Sequence, residues 1–590
     1  MKRKILLLFI LGFILLFFSA CKDKTAGENV LRLAMGGRLS GFDPAMAGDS
    51  ISVAVQSQIY ESLFQYSYLK RPLVVEPCLA ESMPKISSDN LTYTFRIKKG
   101  VFFQDAPCFP NGKGREVTAK DFIYSFKRIA DIHTKSSGWW IFNNKIKGLN
   151  DFRKKSQMPN FDYSEKIEGL KVLNKYTFQI KLTKPYPQIL YILAMPYTAV
   201  IPKEAVKMYG EEFINHPIGT GPYKLEKWVR GSKIILVKNP QFRKEFYPSE
   251  GENVDRTNGL LDDVGKNLPF IDKVVYNIIL EDQPFWLNFM KGTLDFGGIP
   301  KDNFNSAINK DHDLTPEMKA KGIRIIKRIL PDIRYVAFNM EDPILGKNKY
   351  LRQAMSLAYN RQRHINLFAN GRAIPAKFPF PPVIDGYDKN FVNPYTKFDL
   401  KKAKKLMKKA GYPEGKNLPV LHYSIGSQDT TTRQAAELFQ KEMKTIGINV
   451  QIESSTWPQF LKKVSSKSAQ LWGIGWAADY PDAENFLQLL YGPNSSPGPN
   501  GANYNNLIYN KLYEKISVMQ PSVLRTTLYK TMAKIATEDC PWILGTYPIS
   551  YSLYYKWIKN YKPNSFSRNN IKYLKIDYKL RNKMLNGDKK

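Results

Sequence analysis

One apolar run approaches the length of a membrane span in this chain, and it stands at the very start, where it decides where the rest must fold. Lys2, Arg3 and Lys4 precede an almost purely apolar stretch over residues 5–18, and Ser19-Ala20-Cys21 follow. A basic start, a short apolar core and a small-residue exit make a secretory signal peptide. A comfortable membrane span needs about 20 residues, so residues 1–20 read as a cleaved leader rather than an anchor helix. No second apolar run of spanning length appears. The remainder is therefore expected to fold in water, outside the cytoplasm.

That remainder is large. The 590 residues correspond to about four domains at roughly 150 residues each, or to one two-lobed protein. With 43% hydrophobic and 24% charged residues, the composition is that of a folding chain. Beyond the leader only Cys78, Cys108 and Cys540 remain, with no C-x-x-C, which excludes a zinc ribbon or a thioredoxin-like site. An odd number excludes complete internal pairing. A Cys78–Cys108 disulfide and buried free thiols both stay open.

Strand and helix signals alternate without a fixed repeat, which gives an α/β chain with mixed sheets. Val30-Leu31-Arg32-Leu33-Ala34-Met35 alternates as a strand. Tyr93 to Ile97, the turn Lys98-Lys99-Gly100 and Val101-Phe102-Phe103 predict a strand, a tight turn and a return strand. Thr118 with Asp121 three residues on predicts a capped helix start. Leu400, Ala403, Leu406, Met407 and Ala410 form an apolar stripe at helical spacing that stops at Gly411, with six lysines on the opposite face. A further helix is expected around residues 435–446, ending at Gly447, and then a strand over 448–452. Residues 248–267 are polar and read as a surface loop.

Catalytic signatures are missing. The five histidines lie far apart, and neither H-E-x-x-H, an EF-hand loop nor a G-x-S-x-G elbow is present. Gly219-Thr220-Gly221 is followed by Pro222-Tyr223-Lys224, which makes it a tight structural turn and not a phosphate loop. No catalytic residue, metal site or cofactor is expected.

Cys21 after two small residues resembles the lipobox of bacterial lipoproteins, with Phe18 departing from the usual leucine. The resemblance implies cleavage before Cys21, lipid on its sulfur and a tether over residues 21–29. Further strings run through the chain in order. They include Phe42-Asp43-Pro44, Ile59-Tyr60-Glu61-Ser62-Leu63, Leu79-Ala80-Glu81-Ser82, Val117-Thr118-Ala119-Lys120-Asp121 and His216-Pro217-Ile218-Gly219-Thr220-Gly221-Pro222-Tyr223. Lys291-Gly292-Thr293-Leu294-Asp295, Leu351-Arg352-Gln353-Ala354-Met355 and Gly475-Trp476-Ala477-Ala478-Asp479-Tyr480-Pro481-Asp482 follow. Together they resemble the family 5 bacterial solute-binding proteins, the oligopeptide and dipeptide receptors of ABC importers.

The resemblance implies a two-lobed periplasmic-binding-protein type II clamshell with mixed sheets and an extra inserted domain. Lobe I would comprise residues 30–66, 197–333 and 541–590, the inserted domain II residues 67–196, and lobe III residues 334–540. It implies no enzymatic activity. Instead it implies capture of a short peptide and delivery to permease subunits, by a monomer held at the membrane through lipidated Cys21. Within the resemblance, Asp479 receives the ligand's α-ammonium, and Gly475 lets the ligand backbone approach. Trp476 and Trp457 wall side-chain pockets, and Trp140 supplies an aromatic lid. Backbone near Ser50, over residues 48–51, pairs with the peptide as an added strand. Gly473 stands where the family's oligopeptide receptors carry an arginine, so peptide length is not carried over. Rival readings are a same-fold receptor for nickel, haem or an oligosaccharide, a surface lipoprotein acting as adhesin or chaperone, and an exported hydrolase.

The charge remains. Lys+Arg 88 against Asp+Glu 53 gives +35, and removing the three basic leader residues leaves 85 − 53 = +32. The densest run lies on the solvated face of the amphipathic 400–410 helix, and no nucleic-acid motif accompanies it. The excess therefore reads first as plain solvated surface charge, next as a surface facing an anionic membrane, and not as a nucleic-acid stripe.

Overall fold

The computed structural model describes residues 29–46, 48–159 and 161–586. The leader, Cys21 and most of the 21–29 tether lie outside the described residues. Val30–Met35 forms the expected strand and pairs in parallel with Lys273–Ile278, some 240 residues on. Lys233–Lys238 and Tyr223–Val229 extend this sheet by antiparallel pairing. Leu31, Val274, Ile234 and Leu236 are fully buried on its inner face. The Gly219-Thr220-Gly221 turn is structural, since the Gly221 N–H donates to the Ile59 carbonyl at 2.8 Å. A Cβ on Gly219 would lie 2.1 Å from the same oxygen, so no larger residue fits there.

Residues 67–196 carry their own four-stranded sheet, ordered Lys85–Ile86, Thr92–Arg96, Thr177–Lys181, Leu170–Asn174. The expected hairpin across Lys98-Lys99-Gly100 does not form. Thr92–Arg96 pairs with Thr177–Lys181, which sets Phe95 opposite Phe178 and Tyr93 opposite Ile180. Residues 101–103 turn away and bond to residues 115–117, with Val117 N–H donating to the Val101 carbonyl at 2.8 Å and Phe103 N–H to the Arg115 carbonyl at 3.1 Å. Burial decides this pairing. Phe95 and Phe178 stack at 5.3 Å and lie beneath helix Ala119–Ala130, whose Phe122 stacks on Phe178 at 5.8 Å. A local return strand would leave those rings uncovered. The helix begins as expected, with the Asp121 carboxylate accepting from the Thr118 N–H at 2.8 Å and hydroxyl at 2.9 Å.

The largest sheet has eight strands, and Trp542–Tyr555 is its longest, pairing with four of the others. Its first half pairs with Asp332–Phe338 and Ala373–Pro375, its second half with Ile323–Ile329 and Phe296–Gly297. The apolar cores divide in the same place. One cluster draws on buried residues from Leu31 to Ile323 and from Tyr551 onward; two others collect residues between Ile333 and Tyr547. The chain thus returns to the early core within this strand, between Tyr547 and Tyr551. Tyr480 is the exception among the buried residues of the late segment, since it packs into the early core.

Helix Leu400–Lys409 buries Ala403, Leu406 and Met407 and turns its lysines outward, and Gly411 ends it at φ +86°. Helix Thr430–Lys444 and strand Val450–Ser454 likewise follow the sequence pattern. Residues 248–267 lie mostly at the surface, as expected, but are not a plain loop. They hold a short helix, Asn253–Thr257, and bury Asp255 and Asp263, which pair with Lys562 at 2.7 Å and Lys575 at 2.8 Å. Two of the segment's carboxylates thus serve ion pairs with the chain's end, a use that sequence polarity does not distinguish from solvation. Cys78, Cys108 and Cys540 are all free thiols, so the disulfide alternative is not formed.

Candidate functional site

The site grows from strand Leu471–Ala477. Along its whole length it pairs antiparallel with Asp332–Phe338, from Phe338 opposite Leu471 to Asp332 opposite Ala477. On its other side it meets Leu421–Ile425 only at Leu471 and Trp472. Beyond Trp472 the two strands splay, which leaves one backbone edge of residues 473–477 without a sheet partner among the described residues.

After Ala477 the chain turns tightly, with the Ala478 N–H on the Pro331 carbonyl at 2.8 Å. Asp482 fixes the end of this turn. Its Oδ1 accepts from the Glu484 N–H at 2.9 Å, and the Arg525 guanidinium holds both its oxygens at 2.7 and 3.1 Å. The short helix Glu484–Leu487 then points Asn485 back at the strand. The Asn485 Oδ1 accepts from Trp476 Nε1 at 2.9 Å and from the Asp479 N–H at 3.1 Å, and its Nδ2 donates to the Asp479 carboxylate at 2.9 Å. One amide thus positions both residues.

Asp479 is electrostatically unusual. Among the described residues no cation pairs with it, and the Asn485 amide is its side-chain donor. Burial pushes its carboxyl up to about 6, against the weaker lowering by Asn485. Its charge bears on the hydroxyls of Tyr66, Tyr186 and Tyr197, which come from before residue 200. The carboxyl therefore faces the seam between early and late segments. Aromatic contacts cross the same seam. Tyr191 stacks on Tyr480 at 5.8 Å, and the Tyr186 and Tyr480 hydroxyls are 3.4 Å apart. Lys145 lies beside them, 5.1 Å above the Tyr186 ring, and burial pulls its ammonium down to about 8.

A stability prediction follows from Asp479. Its folded-state value lies above the ordinary carboxylate value, so the folded protein holds this proton more tightly than the unfolded chain. Stability from this group is fully present below about pH 4 and is lost as pH rises through about 6, by at most about 3 kcal/mol. The ligand-free Asp479→Asn variant is expected to melt higher than wild type at pH 7.5 and close to it at pH 4.5. Equal melting at both values would rule out the unpaired buried carboxylate.

The expected site residues fall into two groups. Asp479 and Trp476 share Asn485. Gly475 and Trp457 line one cavity of about 380 Å³ together with Arg334 and Tyr423. Trp457 stacks on Phe460 at 5.3 Å and leaves 52% of its surface exposed, as a wall with an open face would. Trp140 sits in the turn Trp139–Ile141, where its carbonyl accepts from Lys145 Nζ at 3.0 Å.

Two of the expected residues have contacts within the chain that bear on their roles. Ser50 is exposed and opens helix Ser50–Ile59, and the Ile51 and Ser52 N–H groups are already held by Asp49 at 3.0 and 2.7 Å. The Gly48 N–H is likewise taken within the chain, by the Met46 carbonyl at 2.8 Å. At Gly475 the room is taken within the chain: a Cβ there would lie 2.4 Å from Arg334 Nη1. The glycine thus makes space for a neighbouring guanidinium. Gly473 has a similar reason, since a Cβ would lie 2.5 Å from the Tyr423 hydroxyl. Sequence reasoning missed Asn485, Arg334, Tyr423 and the tyrosines before residue 200. Asn485 lies three residues past the matched string; the others are distant in sequence and carry no local signal.

A family model described as "Bacterial extracellular solute-binding proteins, family 5 Middle" matches residues 74–498. The chain is 25% identical over 577 residues to Di/tripeptide-binding protein 2 of Pseudomonas aeruginosa, covering 96% of this chain and 98% of that one. It is also 25% identical over 534 residues to Heme-binding protein A of Haemophilus influenzae, covering 89% and 88%. Among solved structures it resembles the ABC transporter-associated periplasmic binding protein DppA from Helicobacter pylori in complex with peptide STSA. That match has 27% identity and a TM-score of 0.71, and covers 93% of this chain and 98% of that one.

Proposed function

The chain belongs to the bacterial extracellular solute-binding proteins of family 5, which bind solutes rather than transform them, and on that premise we propose that it captures short peptides for an ABC importer. Residues 30–66 and 197–333 with the insert 67–196 and the end of the chain form one jaw and residues 334–540 the other, the changeover falling within strand Trp542–Tyr555. Cys21 carries the lipid that holds this monomer at the membrane, and closed protein presents its peptide to the permease.

The observation that carries the reading is Asp479. Enclosing a peptide's α-ammonium strips its water, which costs several kcal/mol unless an opposite charge meets it. A carboxyl at the seam with no cation of its own suits that role. The unpaired edge of residues 473–477 offers main-chain groups to an extended ligand, which gives affinity independent of side chains. Closure follows from binding, because ligand contacts made by both jaws exist only in the closed state. The nickel alternative gains nothing here: among the described residues no group of three or more His, Cys, Asp or Glu is assembled to hold a metal.

Mass spectrometry of ligand released from the purified, denatured protein tests the reading. Peptides of a narrow length class are expected, and N-acetylated versions of them should rebind poorly. Release of haem or sugar, or equal binding of acetylated peptide, would overturn it.

A further inference from the structure

The cavity of about 380 Å³ where strands Leu471–Ala477 and Leu421–Ile425 splay apart has a lining out of keeping with a plain apolar pocket. Its walls are aromatic, with Trp457, Tyr359, Tyr423 and Phe439, and no Asp, Glu or Lys side chain lines it. His364 also lines it, but its Nε2 lies 3.1 Å from the Glu442 carboxylate and is committed there. Among the described residues Arg334 is therefore the one permanent charge lining this space.

The guanidinium is only partly used. Its Nη2 donates to Asp332 Oδ2 at 2.9 Å, while Nε and Nη1 have no acceptor among the described residues. Its side chain is 59% exposed, whereas that of Asp332 is 10% exposed. The arginine thus extends from its partner into the open cavity. Register puts it there, since Arg334 pairs directly with Gly475, and a Cβ on that glycine would lie 2.4 Å from Nη1. Beside it, the Tyr423 hydroxyl occupies the space above Gly473 and has no hydrogen-bond partner among the described residues. Two glycines in one strand therefore seat a charged fork and a hydroxyl donor side by side. An arginine fork matches a carboxylate with two parallel N–H donors.

We propose that this cavity is a carboxylate subsite, in which Arg334 and the Tyr423 hydroxyl receive an anionic group of the ligand while Trp457 covers its apolar part. The inference rests on the peptide reading above and adds to it a ligand class, peptides that carry a carboxylate close to their N-terminus. Four residue steps separate Gly475 from Asp479, at most about 14 Å of backbone. A peptide held by its ammonium at Asp479 thus brings a carboxylate to Arg334 within its first three or four residues. Either its C-terminus or an acidic side chain supplies that group.

The test offers ligand-stripped, refolded protein three tripeptide mixtures built from Ala, Leu, Val and Phe. One has free C-termini, one is amidated, and one is amidated with a single Glu. Retained peptides are identified after gel filtration. Wild type is expected to favour one or both carboxylate-bearing mixtures over the neutral amides by about tenfold or more, the effect of roughly 1.4 kcal/mol. Which of the two is favoured separates terminal from side-chain carboxylate. Arg334→Gln, at a mostly exposed position, is expected to fold normally and lose this preference while still rejecting N-acetylated peptides. Arg334→Lys should retain part of it. Retention of neutral amides as strongly as acids, or an unchanged preference in Arg334→Gln, would sink the carboxylate subsite alone. Retention of no peptide from any mixture would sink the peptide reading and this inference together.

Discussion

Asp479→Asn is expected to abolish most peptide affinity, by on the order of 3–5 kcal/mol, or roughly a hundred- to several-thousand-fold. The substitution preserves shape and the contact with Asn485 but removes the charge that offsets a desolvated ammonium. The surroundings offer no replacement, because Tyr66, Tyr186 and Tyr197 are neutral hydroxyls whose ionisation their buried positions oppose. The same charge sets a pH dependence. With the free carboxyl titrating near 6, affinity should be level above about pH 7 and fall by up to about tenfold per unit below 6. Calorimetry at pH 8 and pH 5 on both proteins checks this. Wild-type affinity in the variant, or a flat wild-type profile, would remove Asp479 from the site.

Arg525→Ala is expected to destabilise the late segment by on the order of 3–5 kcal/mol. The side chains of Arg525 and Asp482 are 3% and 7% exposed and joined by two hydrogen bonds, and Arg525 Nε also donates to the Ile516 carbonyl at 2.9 Å. Truncation strands the Asp482 carboxylate in a buried place, beside the already buried Glu484. The pair anchors the turn from which Asp479 and Asn485 project, so ligand affinity should fall along with stability. Replacing both partners, as Arg525→Met with Asp482→Leu, should recover much of the stability, because no unpaired charge then remains. Scanning calorimetry of the three proteins decides. A single variant as stable as wild type would show that the ion pair contributes nothing.

Both expectations concern side chains whose roles were unequally readable beforehand. Asp479, Trp476 and Gly475 sit within one short string and could be named from it. Asn485 was missed, although it touches two of them. Arg334 and Tyr423 were invisible for a different reason: the fold brings them against Gly475 and Gly473 across 141 and 50 residues of sequence. The mistaken hairpin after Tyr93 has the same origin. A tight turn between apolar alternations is a local signal, and the buried face shared with Phe178 outweighed it.

The sequence by itself determined what local pattern and chemistry can carry. It placed the helix over 400–410 and its lysine face, the capped start at Thr118, the α/β class, and the string holding Asp479. Those features depend on residues a few positions apart, whose spacing fixes which face is apolar. Tertiary structure alone decided that, among the described residues, no cation pairs with Asp479 and no strand pairs with one edge of residues 473–477, and that Arg334 faces an aromatic cavity. Each of these is a statement about what lies on the far side of a strand. Long-range pairing sets that neighbour, because it buries the most apolar surface over the whole chain rather than within any one segment.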